Sequence, residues 1–313
     1  MQYRHTPPPL DLLRQHSPWI VSFSGGKDST ATLLWALGHN PEDTLAIFCD
    51  TGAEWPETYT YLDQVEQRLG IAIIRLSTDA TLEDLVRERG RWPALHVRYC
   101  TKTLKYLVLQ DWLNHHGYHD ALILFGQRWE ESRRRAQLPF YDPPPLGPAA
   151  TAVFRPVLDW TEAQVFAYLD QHDMPPNPVY NLGATRVSCA VCPLTSIGNI
   201  IAFARTHPDR FDHYMALEAE TDTWKTTLSG YGSRREVTLR GIRERADLND
   251  EDYVSTNEAA EVLGVSTRTV QRWARDGRFP NARQISPDTP GSPWLIPLAD
   301  LEPASCDSGL CHL

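Results

Sequence analysis

A short segment, Ser24-Gly25-Gly26-Lys27-Asp28-Ser29, follows an apolar run at 19–23 and leads into a helical pattern at 28–37. Two glycines between a strand and a helix are typical of an anion-binding turn. Glycine lets the backbone approach a ligand, and the first N–H groups of a helix are unpaired. The spacing differs from that of a Walker A loop and of the dinucleotide-binding fingerprint. We therefore expect a phosphate-binding loop of another class.

Strand and helix patterns alternate over the first two thirds of the chain. The predicted strands are 19–23, 44–48, 71–74, 121–125 and 153–157, and the predicted helices are 28–37, 56–69, 101–115 and 161–171. Such alternation predicts an α/β fold with a doubly wound, mainly parallel sheet and helices on both faces. The proline-rich segment 139–151 is predicted to be an exposed loop, either a flap beside the site or a plain surface excursion.

A length of 313 residues favours two domains. We divide the chain into an N-terminal extension (1–17), a nucleotide-binding domain (18–200), a helical and charged connector (201–252), a helix-turn-helix domain (253–302) and a flexible tail (303–313). The composition, 42% hydrophobic and 22% charged, is ordinary for a soluble globular protein. Neither a membrane-spanning run nor a signal peptide is recognisable, so we expect a cytoplasmic protein without membrane contact.

The segment after Tyr253 has the pattern of a helix-turn-helix with a β-wing. Ser255 and Glu258 have capping-box spacing, the first helix stops at Gly264, and Ser266 is placed to cap a second helix that ends before Gly277. Strands at 281–285 and 294–296 would form the wing. The second helix directs Val270, Trp273 and Ala274 inward and the polar residues Arg268, Gln271, Arg272 and Arg275 outward.

Arginine and glutamine side chains suit the base edges of the DNA major groove. The net charge of −10 disfavours nonspecific binding to nucleic acid, but five arginines and one acid lie between residues 268 and 283, so the local charge is positive. We therefore predict that this domain, which resembles excisionase and MerR-like domains over 256–301, binds DNA. A solvated arginine face and a protein-binding surface are the alternatives.

Several further motifs accompany the phosphate loop: Cys49-Asp50-Thr51-Gly52, Trp55-Pro56-Glu57-Thr58, Tyr99-Cys100-Thr101-Lys102-Thr103-Leu104-Lys105, Gly126-Gln127-Arg128-Trp129-Glu130-Glu131-Ser132, Asn177-Pro178-Val179-Tyr180 and Cys189-Ala190-Val191-Cys192-Pro193. With the loop, they resemble the phosphoadenosine phosphosulfate reductase family of the PP-loop ATP pyrophosphatase superfamily over 18–200. The resemblance implies an adenine nucleotide alpha hydrolase-like fold that binds ATP at the loop, with Asp50 and Thr51 near the adenosine or a Mg²⁺ ion. It also implies catalytic roles for Lys27, Asp50, Lys105 and Arg128, the last two at the phosphate or sulfate end.

The chain has six cysteines, at positions 49, 100, 189, 192, 306 and 311, too few for a disulfide scaffold of this length. The resemblance implies that Cys100, Cys189 and Cys192 meet at one place. Thiolates there would bind a [4Fe–4S] cluster or zinc. Without metal, the cysteines would be a redox pair or buried thiols. Cluster-containing members have a further cysteine where this chain has Tyr99, so a cluster here would have three cysteine ligands and one open iron.

The tail, with Cys306 and Cys311, is similar to the Glu-Cys-Gly-Leu-His end of sulfonucleotide reductases, but Ser308 stands in place of its cysteine. A tail cysteine could act as a nucleophile, or the tail could simply be solvated.

Three functional hypotheses follow. The leading one is an ATP-dependent, adenylating sulfur-transfer enzyme that acts on DNA, since the two modules together resemble DNA phosphorothioation proteins; a cysteine desulfurase would donate the sulfur. The second is a sulfonucleotide reductase that works with thioredoxin. The third is a nucleotide-sensing, DNA-binding regulator without turnover. The sequence does not indicate the oligomeric state.

Overall fold

The structure is a computed structural model that describes residues 3–94, 96–145, 147–221, 224–228, 234–246, 253–280, 282–284, 294–297 and 300–301. The chain divides into two compact units. The first holds residues 1–89 and 95–199, and the second holds residues 90–94 and 200–313. Within the described residues, no helix is long and apolar enough to cross a lipid bilayer.

The first unit is built on a six-stranded, mostly parallel sheet. Its strands are β1 (Trp19–Ser22), β2 (Thr44–Cys49), β3 (Ile73–Leu76), β4 (Leu122–Phe125), β5 (Tyr141–Asp142) and β6 (Ala152–Phe154). Their spatial order is β3-β2-β1-β4-β6-β5, and only the β5–β6 pair is antiparallel. The strand order reverses between β1 and β4, which is the place where doubly wound sheets bind ligands. The predicted α/β fold class is confirmed.

Both faces of this sheet are covered. Successive residues of β1 alternate between two buried clusters, with Trp19 and Val21 on one face and Ile20 on the other. The helices of this unit are α1 (Leu10–Leu13), α2 (Lys27–His39), α3 (Pro56–Leu69), α4 (Leu82–Arg89), α5 (Tyr99–Thr101), α6 (Leu107–His116) and α7 (Glu162–Gln171). Alternating apolar side chains in a central strand therefore hold a helical layer on each side.

Local signals at the helix ends explain several of these boundaries. Helix α3 begins at a proline, which has no N–H to leave unpaired, and ends at Gly70 with a left-handed φ of 64°. Helix α7 is capped by Thr161, whose side chain accepts from the Gln164 N–H while the Gln164 side chain accepts from the Thr161 N–H. The predicted boundaries of these two helices are confirmed to within one residue.

Other predicted boundaries are corrected by the structure. The strand predicted at 71–74 lies at Ile73–Leu76, because the Ile71 N–H bonds to the Glu66 carbonyl and still belongs to the end of α3. The strand predicted at 153–157 is β6, three residues long. The segment 139–151, predicted to be a loop, contains the edge strand β5, which is too short to show a strand period. The helix predicted to begin at Thr101 begins at Tyr99 and passes through a π-helical turn at Lys102–Tyr106 before α6.

The second unit begins within α8 (Ile197–Thr206) and continues through α9 (Pro208–Glu220), the antiparallel strands β7 (Lys225–Leu228) and β8 (Arg234–Val237), and α10 (Leu239–Ala246). Helices make up most of the described residues of the connector predicted at 201–252, and the hairpin within it was not predicted, because its polar strands lack an apolar alternation. The carboxylate of Glu218 accepts from the N–H groups of Trp224 and Leu239, both at 2.8 Å, and so ties α9 to the starts of the hairpin and of α10.

The same unit contains the predicted helix-turn-helix. Its elements are β9 (Tyr253–Ser255), α11 (Thr256–Leu263), α12 (Thr267–Arg275), β10 (Arg283–Gln284) and β11 (Trp294–Pro297), with sheet order β10-β11-β9. The antiparallel β10–β11 pair is the predicted wing. The Ser266 hydroxyl accepts from the Thr269 N–H at 3.2 Å, which confirms the predicted cap of α12. The side chains of the Ser255–Glu258 capping box and the tail with Cys306 and Cys311 lie outside what the structure describes.

Candidate functional site

The segment Ser24–Ser29 forms a tight loop between β1 and α2. Gly26 precedes the first helical residue, and Gly25 has a φ of 73°, a left-handed conformation that glycine adopts without strain. The Ser24 N–H donates to the Ser29 hydroxyl oxygen at 3.2 Å, and that hydroxyl donates to the Gly26 carbonyl at 2.9 Å. The hydroxyl groups of Ser24 and Ser29 therefore lie beside the positive N-terminal end of α2, an arrangement suited to binding a phosphate.

Two distant residues fix the position of this loop. Asn177, buried, donates from Nδ2 to the Gly25 carbonyl at 3.0 Å and accepts from the Val179 N–H at 3.0 Å. At the end of β4, a Cβ on Gly126 would lie 2.6 Å from the carbonyl atoms of Asp28. Because real Cβ atoms do not approach backbone so closely, glycine at 126 allows β4 to contact the first turn of α2.

Lys27 is buried and engaged through both its backbone and its side chain. Its N–H donates to the Tyr180 hydroxyl at 3.0 Å. Its ammonium lies 3.0 Å from Glu162 Oε1 and 3.6 Å from Asp28 Oδ2, and 5.4 Å from the centre of the Tyr180 ring. The lysine of the loop is therefore held by the start of α7 and by the turn at Tyr180. Its catalytic role stays a prediction.

Arg128 is buried against the first turn of α2. Its Nε donates to Asp28 Oδ1 at 2.6 Å, its Nη1 donates to Glu130, and Nη1 also lies 3.4 Å from the Trp160 carbonyl oxygen. Burial opposes the charge of Arg128, but the Asp28 carboxylate outweighs it and raises the pKa of the guanidinium. These contacts anchor Asp28. A role of Arg128 at the phosphate or sulfate end of a ligand stays a prediction.

Asp50 and Thr51 follow the carboxyl end of β2. Asp50 Oδ1 accepts from the Gly52 N–H at 2.8 Å and from the Tyr59 hydroxyl at 2.7 Å. The buried Thr51 hydroxyl donates to Glu54 Oε1 at 2.9 Å and lies 3.3 Å from the sulfur of Cys189. The turn after β2 therefore brings a carboxylate to the sheet edge and connects that edge to the Cys189 segment.

A cavity of about 240 Å³ lies at the reversal of strand order. Its walls come from the carboxyl ends of β1, β2 and β4, from the phosphate loop, and from the π-helical turn and α6. The lining residues are Ser22, Phe23, Ser24, Phe48, Cys49, Glu54, Thr101, Lys105, Tyr106, Leu109, Phe125, Pro148 and Ser188. An apolar pocket with a few convergent polar groups at such a reversal is the arrangement expected of a nucleotide site.

Lys105 lies in the π-helical turn, at the wall of this cavity. Its ammonium is 3.7 Å from Glu54 Oε1, and its side chain is 40% exposed. Burial opposes its charge, but Glu54 and the neighbouring cysteines raise the pKa of Lys105 above its ordinary value. A helical turn that deviates from α geometry often marks a functional position. The predicted proximity of Lys105 to the ligand site agrees with its place in the cavity wall, while its catalytic role stays a prediction.

Cys189 and Cys192 form one turn in which the Cys192 N–H donates to the Cys189 carbonyl at 3.2 Å. The Cys189 sulfur donates to Glu54 Oε1 at 3.6 Å. Burial raises the pKa of both thiols, and the Glu54 carboxylate raises that of Cys189 further. Burial likewise raises the pKa of Cys49 to about 11. These three cysteines are therefore thiols, not thiolates, at neutral pH in the arrangement seen here.

The prediction of a metal centre was tested against this geometry. Among the described residues, no group of three or more His, Cys, Asp or Glu side chains is placed to hold a metal ion. The Cys100 sulfur lies 4.0 Å from the Thr101 hydroxyl, and Cys189 is engaged with Thr51 and Glu54. The described residues therefore do not gather the three cysteines into a metal-holding group, although Cys100, after burial, is among the groups that raise the pKa of Cys192. The metal stays a prediction, and no chemical step below depends on one.

Three residues of the site were not assigned from sequence. Glu54 stands in an otherwise recognisable motif, but only the fold brings it to Cys189 and Lys105. Glu162 lies in the first turn of α7, where acidic residues are common, so its position in the sequence did not indicate a role in the site. Tyr180 belongs to the quoted Asn-Pro-Val-Tyr motif, yet its bond to Lys27 spans 153 residues.

In the second unit, α12 has the two faces predicted from sequence. Val270 and Ala274 are buried with Phe279 and Ile296, and Trp273 packs against that cluster. Arg268, Arg272 and Arg275 are exposed, and Gln271 is half-buried. The orientation of the arginine face is confirmed, and its contacts with DNA stay a prediction.

A glycine loop at the reversal of a doubly wound sheet, joined to a cavity beside it, is the arrangement expected of a nucleotide-binding α/β domain. The chain belongs to the phosphoadenosine phosphosulfate reductase domain family, whose sequence model matches residues 18–195. A helix-turn-helix domain model matches residues 253–302.

The individual proteins that are similar to this chain share only part of its sequence and length. An uncharacterized 37.8 kDa protein of Escherichia phage 186 is 31% identical over 222 residues, covering 55% of this chain and 66% of the phage protein. The adenosine 5'-phosphosulfate reductase of Salinibacter ruber is 26% identical over 175 residues, covering 55% of this chain and 67% of the reductase. Across three uncharacterized relatives, this chain spans 43% to 66% of the relatives' own length.

Among solved structures, a phosphoadenylyl-sulfate reductase from Candida auris in complex with phosphate superposes with a TM-score of 0.45 and 19% identity. The superposition covers 57% of this chain and 85% of that one.

Proposed function

We propose that the protein is an ATP-dependent, adenylating enzyme of sulfur transfer whose acceptor is DNA. The observation that carries the proposal is the cavity at the β1–β4 reversal. It joins the phosphate loop at Ser24 to Lys105 and Glu54, and Glu54 in turn contacts the thiol of Cys189. A nucleotide in this cavity would have its phosphates at the loop and a sulfur atom within reach of its reacting end.

The first step is adenylation of the acceptor. An acceptor oxygen attacks the α-phosphorus of ATP, the bond to the β-phosphate oxygen breaks, and pyrophosphate leaves. The hydroxyls of Ser24 and Ser29 and the positive end of α2 would bind the pyrophosphate portion, while Lys105 would neutralise charge that develops on the α-phosphate. Mg²⁺ would enter with ATP, held mainly by the phosphates, with the Asp50 carboxylate as its protein ligand.

The second step exchanges oxygen for sulfur. A sulfur nucleophile attacks the adenylated centre and AMP leaves with the original oxygen. Cys189 is the cysteine that supports this step, because it contacts Glu54 in the cavity wall. The transferred sulfur would reach Cys189 as the outer atom of a persulfide, passed on from a persulfide of a cysteine desulfurase-class donor whose own thiol is released. Its attack joins the acceptor to Cys189 through an S–S bond. The Cys192 thiol, one turn away, would cleave that bond, release the thiolated acceptor and leave a Cys189–Cys192 disulfide that an external dithiol reduces.

The helix-turn-helix supports DNA as the acceptor. Exposed Arg268, Arg272 and Arg275 on α12 offer guanidinium groups to phosphates and guanine edges. Replacing Arg272 by Ala should weaken DNA binding and lower the slope of log affinity against log salt by about one if the contact is to a phosphate. An Arg240→Ala variant, on α10 of the same unit, serves as the control for loss of one surface charge.

A sulfonucleotide reductase is the second candidate, supported by family membership and by the Salinibacter ruber relative, which is named as such an enzyme. In that case the cavity would hold the adenosine of a sulfonucleotide, Lys105 would face its sulfate, and the enzyme would depend on a dithiol protein such as thioredoxin.

One set of assays separates these functions. Protein purified without oxygen is assayed for pyrophosphate release from ATP, with and without DNA, and for sulfite release from adenosine 5'-phosphosulfate and its 3'-phosphorylated form. The proposal expects DNA-stimulated pyrophosphate release that Lys105→Gln lowers by about 100-fold or more. Sulfite release would establish the reductase. Tight DNA binding without turnover of any nucleotide would establish a regulator. Iron, sulfide and zinc analysis of the same sample decides the separate prediction of a metal at Cys100, Cys189 and Cys192.

A further inference from the structure

Exposed apolar side chains are concentrated in one short segment of the first unit. Among the described residues, three large hydrophobic side chains are exposed: Val97 at 37%, Tyr106 at 45% and Leu107 at 36%. All three fall within 11 residues of sequence: Val97 precedes the π-helical turn, Tyr106 is its last residue and Leu107 follows it. Exposed apolar groups scattered singly need no explanation, but a cluster of them marks a binding surface.

One of these three residues, Tyr106, brings the exposed segment to the cavity. Tyr106 both lines the cavity and is the most exposed of the three, so its ring extends from the cavity wall to solvent. Lys105, from the same turn, and Thr101, the last residue of α5, also line the cavity. Whatever occupies the cluster therefore has direct access to the ligand that the cavity holds.

The charge around the cluster is positive. Between residues 95 and 110 the sequence contains Arg98, Lys102 and Lys105 and no Asp or Glu, in a chain whose net charge is −10. Arg98 and Lys102 are exposed, and Lys105 is partly so. Glu54 is the one acid that lines the cavity, and it is buried and paired with Lys105. An aromatic ring among cations is complementary to a polyanion with flat, apolar bases.

We infer that Val97, Tyr106 and Leu107, with Arg98 and Lys102, form the surface that binds a nucleotide of the nucleic-acid acceptor. The Tyr106 ring stacks on an unpaired base, and the Arg98 and Lys102 side chains bind the adjoining phosphates. The inference rests on the proposed function, because it names the part of the acceptor that reaches the adenylating site. This surface in the first unit would bind single-stranded nucleic acid, in addition to the duplex DNA that α12 is proposed to bind.

The test uses the full chain and a single-stranded oligonucleotide that carries 5-iodouracil, a base that crosslinks to stacked aromatic rings under ultraviolet light. We expect a crosslink that maps to Tyr106. Replacing Tyr106 by Ala should abolish the crosslink and weaken binding of the oligonucleotide by about 5- to 100-fold. Tyr106→Phe keeps the ring and should bind as the wild type does. Lys102→Ala should weaken binding with a smaller salt slope.

Two controls isolate the surface. Tyr118→Ala removes a tyrosine that packs on Trp112 and His116, outside the cavity lining, and should leave oligonucleotide binding unchanged. Because Tyr106 also lines the cavity, ATP affinity is measured for the same variant, and Tyr106→Ala should weaken the oligonucleotide by a much larger factor than it weakens ATP. If Tyr106→Ala weakens ATP and oligonucleotide equally, the ring belongs to the ATP site and the inference is overturned.

Other outcomes are equally decisive. A crosslink confined to α12, or no crosslink at all, overturns the inference and leaves a protein partner as the occupant of the cluster. Pyrophosphate release is measured on the same samples. A protein that releases pyrophosphate without a crosslink at Tyr106 refutes the surface alone. A protein that crosslinks at Tyr106 but turns over no ATP retains the surface and refutes the adenylating function.

Discussion

Asn177 and Gly25 are joined by a hydrogen bond of 3.0 Å, although 152 residues separate them. The bond runs from the Asn177 side-chain amide to the carbonyl oxygen of the phosphate loop, while the amide oxygen of Asn177 accepts from Val179. One buried side chain therefore connects the loop to the segment that carries Tyr180.

Replacing Asn177 by Ala should loosen the loop. The Gly25 carbonyl and the Val179 N–H would lose their buried partner, at a cost of about 1–3 kcal/mol for each group. Denaturant unfolding and titration with ATP should show a lower free energy of unfolding and weaker ATP binding. The exposed Asn114, replaced by Ala, is the control. An Asn177→Ala protein that matches the wild type in both measurements would show that the loop does not depend on this bond.

Gly126→Ala should disturb the site by steric overlap. The added Cβ would lie 2.6 Å from the carbonyl atoms of Asp28, so β4 and α2 must move apart. We expect a loss of stability of roughly 1–3 kcal/mol together with weaker nucleotide binding. Gly38→Ala in α2 is the matched control. Its Cβ meets nothing within 4 Å, so it should stabilise the helix by about 0.5–1 kcal/mol. Equal effects of the two changes would refute the steric argument.

The buried thiol of Cys49 predicts a loss of stability at alkaline pH. Burial raises its pKa from the ordinary value of 9.0 to about 11 in the folded state. The contribution is therefore fully present below pH 9 and is lost as the pH rises to about 11, because the unfolded chain releases the proton first. Two pKa units correspond to about 3 kcal/mol.

Denaturant unfolding at intervals between pH 9 and pH 11 measures this loss. Cys49→Ala should have a shallower pH dependence than the wild type, with the remaining slope due to other buried groups whose pKa values are raised, among them Cys189, Cys192, Tyr61 and Tyr180. Identical slopes for the two proteins would mean that Cys49 ionises as readily in the folded state as in the unfolded chain.

Ser266→Ala should loosen α12, because the Thr269 N–H loses its cap. A cap of this kind contributes about 1 kcal/mol, which corresponds to a roughly five-fold faster exchange of the amide hydrogens in the first turns of the helix. Hydrogen exchange of the full chain measures the change, and Ser266→Asp, which keeps an acceptor oxygen, should exchange as the wild type does. Unchanged exchange in the alanine variant would show that packing of Val270 and Ala274 alone sets the local stability.

Local signals explain what could be predicted from sequence. The phosphate loop, helix α3 and the cap of α12 depend on residues within a few positions of one another, such as Gly25 with Ser29 and Ser266 with Thr269. Glycine, proline and capping residues have strong local preferences, so these features are recognisable in a single chain.

The features that sequence did not predict depend on distant contacts. Glu54 becomes part of the site because the Cys189 segment pairs with the turn after β2. Tyr180 becomes part of it because the chain returns to the phosphate loop, where its hydroxyl accepts from the Lys27 N–H. The contacts of Arg128 with Asp28 and Glu130 also come from the fold, while its predicted place at the ligand stays a prediction. No local pattern distinguishes an arginine that binds a ligand from one that binds a helix.

Because of the π-helical turn at Lys102–Tyr106, the site depends on how many residues this segment contains as well as on which residues they are. Deleting one residue from the turn would let the segment continue as an α-helix, in which neighbouring residues point about 100° apart. Lys105 and Tyr106 could then not both face the cavity, even with every remaining side chain unchanged. In this part of the chain, deleting one residue would alter the cavity wall more than most single substitutions would.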